Sequence, residues 1–113
     1  MPATEPQTVA SKAARGFDVY QCQECAQNIK ASLQAAGYGG RLVEIRGKAG
    51  RDFMVCLSYD EGRSTITQNG RHVGVRVGDL MFDNLHPNGI PADQWLKDFD
   101  AIGGVDEHSA VDF

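Results

Sequence analysis

The chain reads as an α+β domain in which one amphipathic helix is followed by a mainly antiparallel sheet and a short closing helix. Over residues 22–36 the apolar positions Cys22, Cys25, Ala26, Ile29, Leu33 and Ala36 recur at steps of three and four, the stripe of a helix with one buried face. Residues 71–77 alternate strictly, with Val73, Val75 and Val77 on one face and His72, Gly74 and Arg76 on the other, as in a strand. Gly78-Asp79 then forms a two-residue turn into a second apolar run, the pattern of a hairpin. A length of 113 residues suits one core and little more.

Residues 1–16 (MPATEPQTVASKAARG) are polar and aperiodic, contain Pro2 and Pro6, and read as a flexible linker. Residues 17–20 read as a short extended lead-in. Gly37, Gly39 and Gly40 stop the helix, as glycines just beyond a helical pattern commonly do. Residues 41–46 form a first strand and 47–50 a loop. The apolar run 52–59 (DFMVCLSY) suits a strand covered on both faces. Residues 64–68 are β-branched and lead into Asn69-Gly70, a strong hairpin signal toward residues 71–77. Residues 80–85 are the other arm of the Gly78-Asp79 hairpin. Residues 91–99 (PADQWLKDF) carry Pro and Asp in their first turn and read as a closing helix with Trp95, Leu96 and Phe99 inward. The domain then spans residues 17–102, with 103–113 as a C-terminal tail.

A net charge of -4 argues against nucleic acid as a partner, since neutralising phosphates takes clustered Lys and Arg. Seven basic residues against four acidic ones lie between Arg41 and Arg76, and from Asp79 onward eight acidic residues face only Lys97. That asymmetry reads as a solvated acidic flank. No stretch approaches the ~18 apolar residues of a membrane span, and the N-terminus lacks the apolar core of a secretory signal. Three cysteines are too few for a disulfide scaffold and leave at least one thiol unpaired.

The chemistry concentrates on the cysteines. A thiol at a helix N-terminus feels the positive end of the macrodipole and unpaired backbone N–H groups, which favour thiolate. With Gly78-Asp79 as the turn, Val77 faces Leu80, Arg76 faces Met81, Val75 faces Phe82 and Gly74 faces Asp83. Asp83 then projects from the same face as His72, about 7–8 Å away diagonally, with small Gly74 leaving space for the imidazole to lean over. Asn84 and His86 fall on the valine face. Thiol, imidazole and carboxylate are the three parts of cysteine acyl chemistry: nucleophile, proton carrier and the group that fixes the imidazole tautomer. Backbone N–H groups at the helix start, or a side-chain donor from Gln21 or Gln23, would hold the oxyanion. Placing Cys22 as the first helical residue puts it at the tip of the buried stripe, with Cys25 one turn inside, so Cys22 is the favoured nucleophile and Cys25 the alternative. Cys56, within an apolar run, reads as a buried small hydrophobe. No cofactor and no metal is called for: a zinc site on Cys22 and Cys25 lacks a second close ligand pair. A Cys-x-x-Cys redox reading suffers because the motif precedes the strands. A non-catalytic binding module stays open.

The run Gln21-Cys22-Gln23-Glu24-Cys25-Ala26, the segment Ile66-Thr67-Gln68-Asn69-Gly70-Arg71-His72, the run Phe82-Asp83-Asn84-Leu85-His86-Pro87 and Trp95 together resemble the papain-fold toxin domains of bacterial polymorphic toxins over residues 17–99. The resemblance implies a papain-like fold and a cysteine peptidase or a glutamine deamidase. It further implies a monomeric domain delivered by a larger secreted carrier, acting on a target-cell protein in the target-cell cytoplasm and neutralised in the producer by a cognate immunity protein. It leaves the choice between Cys22 and Cys25 open, because both belong to the matching run.

Overall fold

The computed structural model describes residues 3–113; Met1 and Pro2, the start of the segment read as a linker, lie outside the described residues. Helices α1 (Glu5–Ala14) and α2 (Cys22–Ala35) cover one face of an antiparallel sheet whose strands are ordered β5-β4-β3-β1-β7. These strands are β1 (Arg41–Gly47), β3 (Arg71–Val77), β4 (Leu80–Phe82), β5 (Ile90–Pro91) and β7 (Val105–Asp112). The other face is covered by loops, by helix α3 (Ala92–Trp95) with its 3-10 extension Leu96–Asp98, and by a two-stranded sheet of β2 (Val55–Cys56) and β6 (Phe99–Asp100). The α+β class read from the sequence is the class observed.

Alternation in β3 explains the two cores. Val73, Val75 and Val77 pack with Cys25, Ile29 and Leu33 of α2 and with Ala10 and Ala14 of α1. Ile29 and Leu33 are fully buried, each contributing about 1.5–3 kcal/mol of apolar transfer energy. On the opposite side Val43, Ile45, Met54, Cys56, Ile66, Met81, Trp95 and Phe99 form a second cluster. Helix α2 stops where its glycine stands: Gly37, at φ 84°, donates to Gln34 O and Tyr38 N donates to Leu33 O, the paired bonds of a Schellman cap.

The β3–β4 register is the one the turn dictates, with Val77 opposite Leu80, Arg76 opposite Met81 and Val75 opposite Phe82. Elsewhere the local signals yield to packing. Residues 64–68 do not pair with β3 across Asn69-Gly70, because both edges of β3 are taken by β1 and β4; Thr65 makes a single bridge to Val55. Gly70 instead sits at φ 72°, so close to the Arg51 carbonyl that no Cβ would fit. The apolar run 52–59 yields only the two residues of β2, and residues 17–20 form no strand, with a turn at 19–20. The closing helix is one short turn, and Leu96 is exposed while Trp95 and Phe99 are buried.

Both flanks of the domain are corrected by the structure. The segment read as a linker holds α1, capped by Thr4 and Gln7 in a reciprocal box, with Pro6 in the first turn, where its missing N–H costs nothing. Its fully buried apolar side chains are alanines, small enough for α1 to lie close on α2, with Val9 half-buried beside them. The tail 103–113 contains β7, which pairs along the whole of β1 as an edge strand. Gln7 ties α1 to the sheet, its Nε2 donating to Val77 O at 3.0 Å and to Asp79 Oδ1 at 3.1 Å. Gln7→Ala breaks the capping box and leaves the Val77 carbonyl short of a donor, so unfolding in urea should show a loss of about 1–3 kcal/mol. Exposed Gln27→Ala should change stability by less than about 0.5 kcal/mol, and equal effects from the two would mean that α1 is not anchored through Gln7.

Candidate active site

Asp83 lies one residue beyond β4, fully buried, and its carboxylate accepts five hydrogen bonds. Oδ2 takes His72 Nε2 and Trp95 Nε1, both at 2.8 Å. Oδ1 takes the backbone N–H groups of Leu85 at 2.9 Å and His86 at 2.6 Å, and His86 Nδ1 at 2.8 Å. Burial alone would raise its pKa, but the two imidazoles overcome this and hold the carboxyl far below the usual range. An ionised carboxylate only accepts, so His72 Nε2 and His86 Nδ1 must both carry protons.

That fixes the tautomer of His72. Its side chain is inaccessible to solvent, packed 4.8 Å from the Phe99 ring and 6.0 Å from Trp95. Its free nitrogen, Nδ1, has no hydrogen-bond partner among the described residues. The group beside this imidazole is the Cys22 thiol. Burial raises the thiol's pKa, yet the imidazole of His72 and the backbone of Val73 lower it further, and the net shift is downward from 9.0. Burial likewise opposes charge on His72, and Asp83 and Cys22 together overcome it, lifting the imidazole to about 9.

Cys22 is the first residue of α2, behind Gln21, whose side chain does not cap the helix. The segment ahead of it is tied to the site: Asn84 Nδ2 donates to the carbonyls of Asp18 and Val19 at 2.8 and 3.0 Å. Cys25, one turn inside, is fully buried, donates to Ala14 O at 3.5 Å, and is pushed up to about 12 by burial and by the charges of Asp83 and Cys22. The two candidate glutamines separate. Gln21 Oε1 accepts from Asp18 N at 2.8 Å, which turns that side chain to the preceding loop. Gln23 is exposed and, with Tyr20, Thr67, Gln68, Asn69 and Arg71, lines a cleft of about 90 Å³ that reaches Cys22. A larger cavity of about 190 Å³, lined by Arg41, Arg76, Met81 and Trp95, contains none of Cys22, His72 and Asp83.

Two residues join the site in ways that strand alternation did not reveal. The space beside Gly74 is filled by Trp95 rather than by a leaning imidazole: a Cβ at Gly74 would meet Trp95 Cζ2 at 2.8 Å. His86 is not on the valine face, because the chain leaves the strand after Phe82 and Asp83 turns it back upon itself. His86 Nε2 also meets Asp98 Oδ2 at 2.7 Å, so a carboxylate stands at each of its nitrogens.

An amide at position 83 keeps one acceptor oxygen and turns N–H toward the two donors that meet at Oδ2 or the three that meet at Oδ1. Asp83→Asn should therefore lower the unfolding free energy by roughly 3–5 kcal/mol, the cost of breaking a buried ionic network from one side. Urea denaturation measures it, and a loss under about 1 kcal/mol would mean that the donors find other acceptors.

No curated protein and no solved structure matches this chain. Papain fold toxin 2 matches residues 5–100, a span that begins at the first residue of α1, ends in β6 and holds every group just described. The chain belongs to the papain fold toxin 2 family, a papain-like α+β fold whose toxin chemistry is built on a cysteine.

Proposed function

We propose that this chain is a cysteine peptidase toxin that cleaves a protein of the target cell, with Cys22 as nucleophile, His72 as proton carrier and Asp83 as the group that orients the imidazole. The observation that carries this reading is His72: Asp83 holds its Nε2, while a partnerless Nδ1 lies buried beside a thiol whose pKa falls despite burial. In the resting pair the thiol proton sits on Nδ1, leaving thiolate and imidazolium. The thiolate attacks the amide carbonyl, and the oxyanion is met by the N–H groups at the uncapped start of α2. His72 then gives its Nδ1 proton to the departing amine and a thioester remains. Water, deprotonated by the same nitrogen, attacks the thioester, and collapse expels the Cys22 thiolate, releases the acid product and restores the ion pair with His72.

A second reading, glutamine deamidation, runs through the same thioester with ammonia as leaving group. The cleft favours keeping it, since Gln23, Thr67, Gln68 and Asn69 offer amide and hydroxyl partners suited to a side-chain carboxamide. As a toxin domain the chain would reach its target through a larger carrier and be held inactive in the producer by an immunity protein. Among the described residues no helix is long and apolar enough to cross a membrane.

Expression of the toxin in a susceptible bacterium, followed by mass spectrometry of its proteins, tests the reading. New termini mean cleavage, and a gain of about one dalton on glutamine means deamidation. Cys22→Ser and His72→Ala should each lower turnover on the order of 10³-fold or more. Cys25→Ser, whose hydroxyl can keep the bond to Ala14 O, should retain most of it; loss with Cys25→Ser alone would displace Cys22 as nucleophile.

Activity needs thiolate on Cys22 and a proton on His72. It should rise above the lowered Cys22 pKa and fall again as pH passes about 9. Alkylation by iodoacetamide reports the first limb directly. In His72→Ala, with the imidazole no longer opposing burial, its midpoint should move upward. A midpoint indifferent to His72 would remove the ion pair from the mechanism.

A further inference from the structure

Behind Asp83 lies a second cluster of reactive side chains that the peptidase chemistry does not use. The pairing of β2 with β6 sets Cys56 opposite Phe99, and Leu57 N donates to Asp98 O at 2.7 Å, so two chain segments are clamped side by side. Four donor atoms converge there: Cys56 Sγ, Ser58 Oγ, His86 Nε2 and Asp98 Oδ2. We infer that Cys56, His86 and Asp98 form a zinc site, with the Ser58 hydroxyl or a water at the fourth corner.

The geometry is that of a small tetrahedron. Cys56 Sγ lies 3.9 Å from His86 Nε2, 3.3 Å from Asp98 Oδ2 and 3.5 Å from Ser58 Oγ. Ser58 Oγ lies 3.4 Å from His86 Nε2 and 2.5 Å from Asp98 Oδ2, and the remaining edge, His86 to Asp98, is 2.7 Å. Tetrahedral zinc, with bonds of about 2.0–2.3 Å, sets ligand atoms roughly 3.3–3.8 Å apart. The two edges shorter than this both end on Asp98 Oδ2. Asp98 is the one strong ligand on the rim, at the end of a 3-10 turn, so a shift of that carboxylate by less than about 1 Å opens the centre.

The donor set selects the ion. One thiolate, one imidazole and one carboxylate suit zinc, whereas magnesium and calcium require oxygen throughout. His86 is oriented as a metal-bound histidine is, its far nitrogen donating to a carboxylate, here Asp83 Oδ1, and its backbone held by the same oxygen. Cys56 is fully buried and Ser58 exposed, so an ion would enter from the serine side. Binding releases two protons, from the Cys56 thiol and from His86 Nε2, and leaves the Nδ1 proton on Asp83 in place. Zinc would thus replace the His86–Asp98 hydrogen bond without disturbing the carboxylate that orients His72.

Metal-free protein is titrated with zinc chloride alone and, separately, with cobalt chloride alone, in wild type and in Cys22→Ser, which removes the other reactive thiol. The expected result is one equivalent bound in both, with tetrahedral cobalt bands, a thiolate-to-cobalt charge-transfer band, and a Tm that rises with zinc. Cys56→Ser should abolish the charge-transfer band and weaken zinc at least tenfold, and Asp98→Asn should also weaken it. Absence of stoichiometric binding in wild type overturns the site, as does a charge-transfer band that survives in Cys56→Ser or vanishes in Cys22→Ser. These readouts do not depend on turnover, so they stand apart from the peptidase reading.

Discussion

The carboxylate of Asp83 is the constraint around which the rest of the site is organised. A lone ionised carboxylate in a protein interior is costly, by several kcal/mol even after relaxation. Here the charge is compensated by donors from four residues on three separate parts of the chain: β3, the turn after β4, and α3. Apart from the part-buried Leu85 N–H, each of these bonds is buried, so the network is satisfied only when all parts are in place. The same condition that makes the charge tolerable therefore fixes the ring of His72, the indole of Trp95 and the path of the turn.

The lowered pKa of Cys22 follows from that arrangement together with helix geometry. Cys22 and Cys25 share a helix and a buried stripe, and differ by one turn. The earlier one stands where backbone N–H groups have no helical acceptors and where the imidazole of His72 can reach. The later one meets only apolar neighbours and the carbonyl of Ala14. Both thiols pay for burial, and only Cys22 has a cation to offset it.

The sequence made the centre of the fold legible because two strong local rules operate there. A two-residue turn at Gly78-Asp79 fixes the register of β3 on β4, and alternation then puts His72 and Asp83 on one face. The argument holds only as far as the strand does. Beyond Phe82 the chain turns, and the side to which His86 points is set by hydrogen bonds to Asp83, not by parity. Other misses share a cause. Helix α1 buries alanines instead of large side chains, so it lacks a conspicuous apolar stripe, although Thr4-x-x-Gln7 with Pro6 was a readable capping box. Strand β7 is an edge strand whose side chains are largely exposed, and its pairing to β1 is backbone work that composition does not record. Asn69-Gly70 misled because a turn signal says nothing about whether the neighbouring strand has a free edge.

Burial of Cys56 was readable from its apolar run, but its neighbours were not. They come from residues 30 and 42 positions away, brought in by a two-residue ladder that no local pattern announces. Their position explains a feature the proposed peptidase chemistry leaves over. A histidine orienting nothing but Asp83 would need one donor nitrogen, yet His86 offers its second to Asp98 within a cluster that also holds a thiol. With a carboxylate at each nitrogen the ring must be a cation, lifted to about 11. With zinc at Nε2 the ring would be neutral, the ion and the Cys56 thiolate supplying the balancing charges. In either form Nδ1 keeps its proton and Asp83 keeps its donor, so the geometry at His72 is insulated from which of the two occupies the outer cluster.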